Sequence, residues 1–405
     1  MTLRSILFVD DDHNVLQGLQ RMLRSKRDEW TMSFVSSGAK ALQTLEKEPF
    51  DAIVSDMRMP GMDGAELLTE VRRRYPAMVR VILSGYSEEE SVLRTIGPAH
   101  QFLAKPCSAQ TLVDVLHRAI ELRLVLESEN LRTLLAGLKS LPTPSATYFQ
   151  LVKYIDLPQA SANGVAEIIG GDVAMTAELL KLTNSAYFSI PARVTTPLQA
   201  VRILGFETLR ALVLRIGIFR SFKGLASMGR LMEDLNRDSF LMARIAKRIA
   251  RSEKFEPHHV EEAFCAGMLC SIGMLVLLDT MPAKLNKVQS LIAKGTEVLE
   301  AERQVFGGTH LQVGAYLLGL WGFNRAVVEA VAFCGLPSVA AGQNLDAAGV
   351  VHLARVLAGP SPAYSSQGKG SESAQVQLDR GYIEGLGLGG RLAGWTVGAE
   401  AERKQ

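Results

Sequence analysis

The chain is short of cysteine, of net charge and of long apolar runs, and each shortage excludes something. Its four cysteines, Cys107, Cys265, Cys270 and Cys334, show no disulfide-scaffold spacing, so reduced, mostly buried thiols are expected. A zinc site of Cys265 and Cys270 with His258 and His259 is not expected either, because the C-x4-C spacing is loose and the segment reads as apolar helix. Lys plus Arg number 44 against 42 for Asp plus Glu, a balance of +2. That balance gives no electrostatic reason to expect nucleic acid or an anionic membrane as the main partner. No run of about eighteen apolar residues stands out, so no membrane span is expected. Met1 to Arg4 leads straight into an apolar strand, leaving no room for a signal peptide, and a cytoplasmic location is expected. At 405 residues the chain exceeds one usual core, which predicts two or three domains.

What the sequence has is chemistry at strand ends. The apolar run Ala52–Val54 ends in the carboxylate of Asp56, and the turn formers Pro60, Gly61 and Gly64 follow at once. Such a run reads as a buried parallel strand, whose last residue would stand at the carboxyl edge of an open α/β sheet, where these folds bind ligands. Ile6–Val9 runs into Asp10, Asp11 and Asp12; Val79–Leu83 ends in Ser84-Gly85; Gln101–Ala104 ends in Lys105-Pro106. Carboxylates this close repel one another unless a hard divalent cation such as Mg²⁺ sits among them. A lysine and a hydroxyl are what phosphoryl oxygens need nearby.

These positions, with the loop Met59-Pro60-Gly61-Met62-Asp63-Gly64, resemble the receiver domain of two-component response regulators over residues 1–120. The resemblance implies a doubly wound, flavodoxin-like α/β fold in which Asp56 becomes an acyl phosphate. It implies Mg²⁺ held by Asp11, Asp56 and the backbone carbonyl of Arg58, with Asp10 assisting through water. Lys105 and Ser84 would contact the phosphoryl oxygens. Phe102 stands where the family has a switching aromatic, commonly tyrosine, and Arg58 and Tyr86 would tune phosphoryl lifetime. A sensor histidine kinase is the implied phosphodonor.

From Ala109 to about residue 139 the pattern is helical, with Leu112, Leu116, Ala119, Leu122, Leu126 and Leu131 recurring at three- to five-residue intervals. A long helix over 108–140 could connect two domains, form a parallel dimer seam, or pack on its own protein. Leu141-Pro142-Thr143-Pro144 ends it. Residues 141–359 read as one all-α domain, 360–377 as a flexible loop rich in Pro, Ser, Gly and Gln, and 378–405 as an apolar tail docked on the helical domain. Ser185-Ala186-Tyr187-Phe188 reads as core filling in preference to a surface loop that partners read.

The segments Leu179–Phe188, Ala200–Gly205, Glu261–Leu269, Thr309–Ala315 and Leu320-Trp321-Gly322 resemble the HDOD domain, related to HD-type metal-dependent phosphohydrolases. The resemblance implies an HD-like all-α fold. The hydrolases' His-Asp pair reads here as Cys270-Ser271, and Phe333-Cys334 and Asp238-Ser239 supply no further histidine. Of the implied ligands only His310 survives. A catalytic metal needs at least three protein ligands and an open position, so this half is expected to signal without turnover and His310 to be a hydrogen-bonded structural histidine. His258, His259 and His352 read the same way.

The whole is expected to be a phosphorelay response regulator whose helical half meets an unidentified downstream protein. The rival readings are a regulated HD-type phosphohydrolase, against which Cys270-Ser271 speaks, and a nucleotide or second-messenger receptor. DNA binding lacks a basic recognition helix.

Overall fold

The structure is a computed structural model that describes residues 3–85, 99–121, 131, 135, 138, 141–143, 145–155, 157–184, 194–211, 213, 220–221, 226–339, 344–364 and 376–404. Its contacts divide the chain into two compact units, residues 1–140 with 181–193 and 319–322, and residues 141–180, 194–318 and 323–405.

In the first unit, β1 (Arg4–Val9), β2 (Trp30–Val35), β3 (Ala52–Asp56), β4 (Val79–Gly85) and β5 (Gln101–Lys105) form one parallel sheet in the order β2-β1-β3-β4-β5. Parallel strands covered on both faces favour near-continuous apolar runs, and all five residues of β3 are buried, the polar Ser55 and Asp56 at its end included. The connecting helices include α1 (His13–Met22), α2 (Gly38–Leu45), α3 (Gly64–Arg74) and α4 (Ala109–Glu121). Their starts are written locally. The Asp12 carboxylate accepts the Asn14 N–H at 2.8 Å, and Asp63 and Glu66 form a reciprocal capping box at α3. Leu67, Leu68 and Val71 of α3 then enter a core with Leu7, Ile53 and Ile82. Residues 86–98, and the long helix expected beyond residue 121 apart from positions 131, 135 and 138, lie outside the described residues.

Among its described residues the second unit is helical apart from a pair of two-residue strands, β6 (Pro142–Thr143) and β7 (Arg220–Ser221). Described helices are α5 (Ser145–Ile155), α6 (Ala162–Gly170), α7 (Val173–Thr183), α8 (Pro197–Leu204), α9 (Phe206–Ala211), α10 (Ala226–Ser252), α11 (Pro257–Leu269), α12 (Ile272–Thr280), α13 (Leu285–Ala293), α14 (Val298–Phe306), α15 (His310–Leu320), α16 (Arg325–Phe333) and α17 (Ala347–Ala358). Asp172 starts α7: one carboxylate oxygen accepts the Met175 N–H at 2.7 Å and the other accepts from Asn236 of α10 at 2.9 Å. The tail, α18 (Arg380–Gly385) and α19 (Leu392–Arg403), lays Ile383, Leu388 and Trp395 on Ile245 and Ile249 of α10, Val260 of α11 and Leu353 of α17. Glu402 pairs with Arg244 and Arg248, and the Trp395 indole donates to Glu253 at 3.2 Å.

Three expectations need correcting. An apolar stretch long enough to cross a membrane by length and composition does exist, over Pro257–Thr280, but 83% of its apolar window is buried inside the protein; it is the pair α11 and α12 in the helical core. The flexible loop expected over 360–377 is anchored at its start, with Ala363 and Tyr364 buried, while residues 365–375 lie outside the described residues. His258 and His259 are exposed and lie ring against ring with centroids 3.8 Å apart; they are not hydrogen-bonded core histidines. Tyr187 and Phe188 lie outside the described residues.

Backbone contacts at two glycines in α1 and α3 give opposite expectations. A Cβ on Gly64 would stand 2.2 Å from the Asp56 carbonyl oxygen, whereas one on Gly18 would meet nothing within 4 Å. Gly64→Ala should destabilise the receiver by about 1–3 kcal/mol through overpacking, and Gly18→Ala should stabilise it by about 0.5–1 kcal/mol through helix propensity. Thermal denaturation of both variants checks this, and shifts of the same sign would contradict it.

Candidate functional site

Strand register builds the site at the sheet's carboxyl edge. Val9 lies opposite Ser55, Asp56 opposite Leu83, and Gly85 opposite Lys105, so Asp10, Asp56 and Lys105 emerge side by side. The Lys105 ammonium donates to Asp10 Oδ2 at 2.7 Å and, in a shorter contact, to Asp56 Oδ1. The backbone N–H of Arg58 donates to Asp56 Oδ2 at 2.6 Å, and that of Asp12 donates to Asp10 Oδ1 at 2.9 Å. Burial raises the Asp56 carboxyl above its ordinary value and the Asp10 charge adds to this, while Lys105 and the Arg58 N–H pull the other way. Burial alone would lower Lys105, but its two carboxylate partners outweigh burial and raise it. The lysine is therefore a fixed positive charge.

Asp11 is exposed one residue beyond. Arg58 offers its backbone to the site while its side chain is exposed. Ser84 stands in β4 opposite Ala104; its side chain, that of Phe102, and Tyr86 lie outside the described residues. Among the described residues no three His, Cys, Asp or Glu side chains converge into a preformed metal cluster. The donor set nonetheless fits a hard divalent cation, because Asp10, Asp11 and Asp56 carry more negative charge than Lys105 alone neutralises.

In the second unit, Cys270 and Ser271 mark the junction of α11 and α12. The Cys270 thiol donates to the Gly267 carbonyl at 3.0 Å and lies 3.7 Å from Met242 Sδ, and burial pushes it up to about 12. His310 turns away to Glu302, which is 0% exposed. The carboxylate accepts the His310 backbone N–H and its ring Nδ1–H, each at 2.8 Å, and the Tyr364 hydroxyl. Arg355 Nη2 stands 3.4 Å from His310 Nε2. A guanidinium only donates, so in this contact Nε2 accepts while Nδ1–H faces the Glu302 carboxylate. Burial would raise Glu302, but His310 and then Tyr364 hold it below its ordinary value. His352 is held in the same way: Nδ1–H donates to the Cys334 carbonyl at 2.9 Å and Nε2 accepts the Asp379 N–H at 2.9 Å. Burial lowers its pKa.

Glu302, Arg355 and Tyr364 were not singled out in the sequence. Arg355 alone left a signal there, as a charge on the otherwise apolar α17. Cys265 is buried in α11, away from the exposed His258 and His259, and no zinc cluster forms among the described residues.

Asp238, half-buried on α10, gives a pH test. Burial pushes its carboxyl up to about 7, against the pull of Arg355 and Arg403. A folded value above the ordinary 3.8 means that the stability it lends is complete below that value and is lost as pH rises through about 7. Asp238→Asn should therefore gain in melting temperature over the parent between about pH 4 and about pH 7 and hold that gain above it; a difference independent of pH would contradict this.

Comparison with known proteins agrees with the geometry. The family model for the response regulator receiver domain matches residues 6–117, and that for the HDOD domain matches residues 141–335. The chain is 35% identical over 119 residues to the hydrogenase transcriptional regulatory protein HoxA of Cupriavidus necator, covering 29% of this chain and 24% of that protein. It is 32% identical over 113 residues to the DNA-binding transcriptional regulator NtrC of Escherichia coli, covering 28% and 24%. The chain thus spans about a quarter of the length of these curated relatives. Among solved structures, the receiver domain of an HD domain-containing protein from Pseudomonas fluorescens shares 31% identity over 30% of this chain and 89% of that chain, with a TM-score of 0.29. The MmoQ response regulator of Methylococcus capsulatus shares 22% over 64% of this chain and 98% of that chain, with a TM-score of 0.44. The protein therefore carries a response regulator receiver domain over residues 6–117, followed by an HDOD domain over residues 141–335.

Proposed function

We propose that Asp56 accepts a phosphoryl group from a sensor histidine kinase and that the HDOD half reports the modified state to a protein partner without turning over a substrate. The observation that carries the first part is the Asp56 carboxylate, gripped by Lys105 and the Arg58 N–H at the open edge of the sheet. Asp56 attacks phosphorus, the bond to the phosphohistidine nitrogen breaks, and a mixed anhydride forms. Lys105, already charged, stabilises the negative oxygens as they develop. Asp10, Asp11, Asp56 and the Arg58 carbonyl would hold Mg²⁺, which supplies further positive charge to the transferring group. Transfer removes one carboxylate oxygen from the ammonium's grip, and that exchange of partners is the local event from which a change of state spreads.

The second part is supported by what occupies the helical half. Cys270 is turned to the Gly267 carbonyl, and both His310 nitrogens are engaged, one by Glu302 and one by Arg355. Cysteine and serine do not replace a histidine–aspartate pair for hard, bridged metals. The regulated-hydrolase reading requires tightly held transition metal, which metal analysis of the purified protein would reveal. Residues 122–130, the middle of the long helix expected over 108–140 as a connector, a dimer seam or a helix packed on its own protein, lie outside the described residues.

With acetyl phosphate and Mg²⁺, the parent protein should take up label, Asp56→Asn should take up none, and Lys105→Ala should lose roughly a hundredfold in rate, as when one preorganised electrostatic contact is removed. Chelation of the divalent cation should abolish uptake by the parent. Label on Asp56→Asn would contradict the assignment.

A further inference from the structure

A segment rich in Pro and Ser belongs on the surface, yet Ala363 and Tyr364 are 0% and 4% exposed. Gly359, with φ at 101°, turns the chain out of α17, and the Tyr364 N–H closes a turn on the Ser361 carbonyl at 3.0 Å. Gln289 of α13 donates to the Ala363 carbonyl at 2.9 Å. The Tyr364 hydroxyl donates to Glu302 of α14 and stands 3.8 Å from Met274 Sδ of α12. Residues of three helices thus meet a buried slot filled by Tyr364, which comes from a segment that belongs to no helix.

The floor of the slot is polar where a helical interior has no need of polarity. Glu302 leads to His310, and His310 to Arg355, whose contacts among the described residues all lie at 3.4 Å or beyond. A buried charge cluster of this kind contributes little to stability, and such clusters collect at functional sites. Burial, with Glu302 beside it, raises the phenol well above its ordinary value, so the hydroxyl stays a neutral donor.

We infer that Tyr364 is the internal occupant of a ligand slot and that residues 359–364 are the strap holding it there. The slot takes a small flat ring bearing a hydroxyl or amino donor, which binds Glu302 by displacing the strap. This inference stands apart from the chemistry at Asp56, and its test does not read phosphoryl uptake.

Native-state hydrogen exchange on the full chain decides it, with p-cresol as the probe and toluene, which lacks the donor, as the control. The Tyr364 amide should open locally, exchanging about tenfold or more faster than the amides of α12 and α14, and p-cresol but not toluene should speed it further. Tyr364→Phe, which keeps the ring and loses the donor, should open faster still. Tyr364→Ala should melt at a lower temperature and recover with p-cresol more than with toluene. A Tyr364 amide that exchanges only together with α12 and α14, in the parent and in Tyr364→Phe alike and with or without p-cresol, would overturn the strap. Since the parent and the phenylalanine variant suffice for that result, failure of Tyr364→Ala to fold leaves the test intact.

Discussion

A single ammonium stands between two carboxylates at the edge of a parallel sheet, and the receiver half is arranged around that contact. Asp10 and Asp56 would repel each other in a dry cleft; Lys105 between them makes the arrangement tolerable. The balance is deliberately incomplete. Burial keeps the Asp56 carboxyl raised despite the lysine, and the proposed function has the group exchange that cationic partner for a phosphoryl group and a metal.

Register is what delivers these side chains. A slip of one residue in β3 against β1 would turn Asp56 to the other face of the sheet and put Ser55 at its end. The strands resist that slip because their neighbours are buried on both faces: Ile53, Val54 and Ile82 leave no tolerable alternative. Gly64 sets the other boundary, since only a residue without Cβ lets the start of α3 approach the Asp56 carbonyl so closely. The same device recurs in the helical half, where a Cβ on Gly273 would lie 2.0 Å from the His310 carbonyl oxygen. There it brings α12 against α15 and sets His310 facing Glu302.

How far these arrangements could be read in advance depended on the range of the interaction. Asp10, Asp56 and Lys105 were legible because each ends an apolar run, and parallel pairing turns sequence position into spatial position. The exposure of Asp11 was not legible, because apolar patterning says nothing of which neighbour in an acidic cluster turns inward. Glu302 and Tyr364 meet across 62 positions of sequence, and Arg355 and His310 across 45; no local pattern encodes either pairing. Composition misled at Pro360, where Pro and Ser dominate but Ala363 and Tyr364 carry the contact. It misled again at Pro257–Thr280, where two successive core helices passed for no apolar run at all because glycine, cysteine and serine interrupt them.

The central claim is that the phosphoryl group rests on the carboxylate of residue 56 and nowhere else. Borohydride reduces an acyl phosphate to the alcohol, converting the modified aspartate to homoserine, and peptide mass spectrometry locates the change. After treatment with acetyl phosphate and Mg²⁺, homoserine should appear at position 56 alone; homoserine at Asp10 or Asp11, or its absence from every aspartate, would contradict the account.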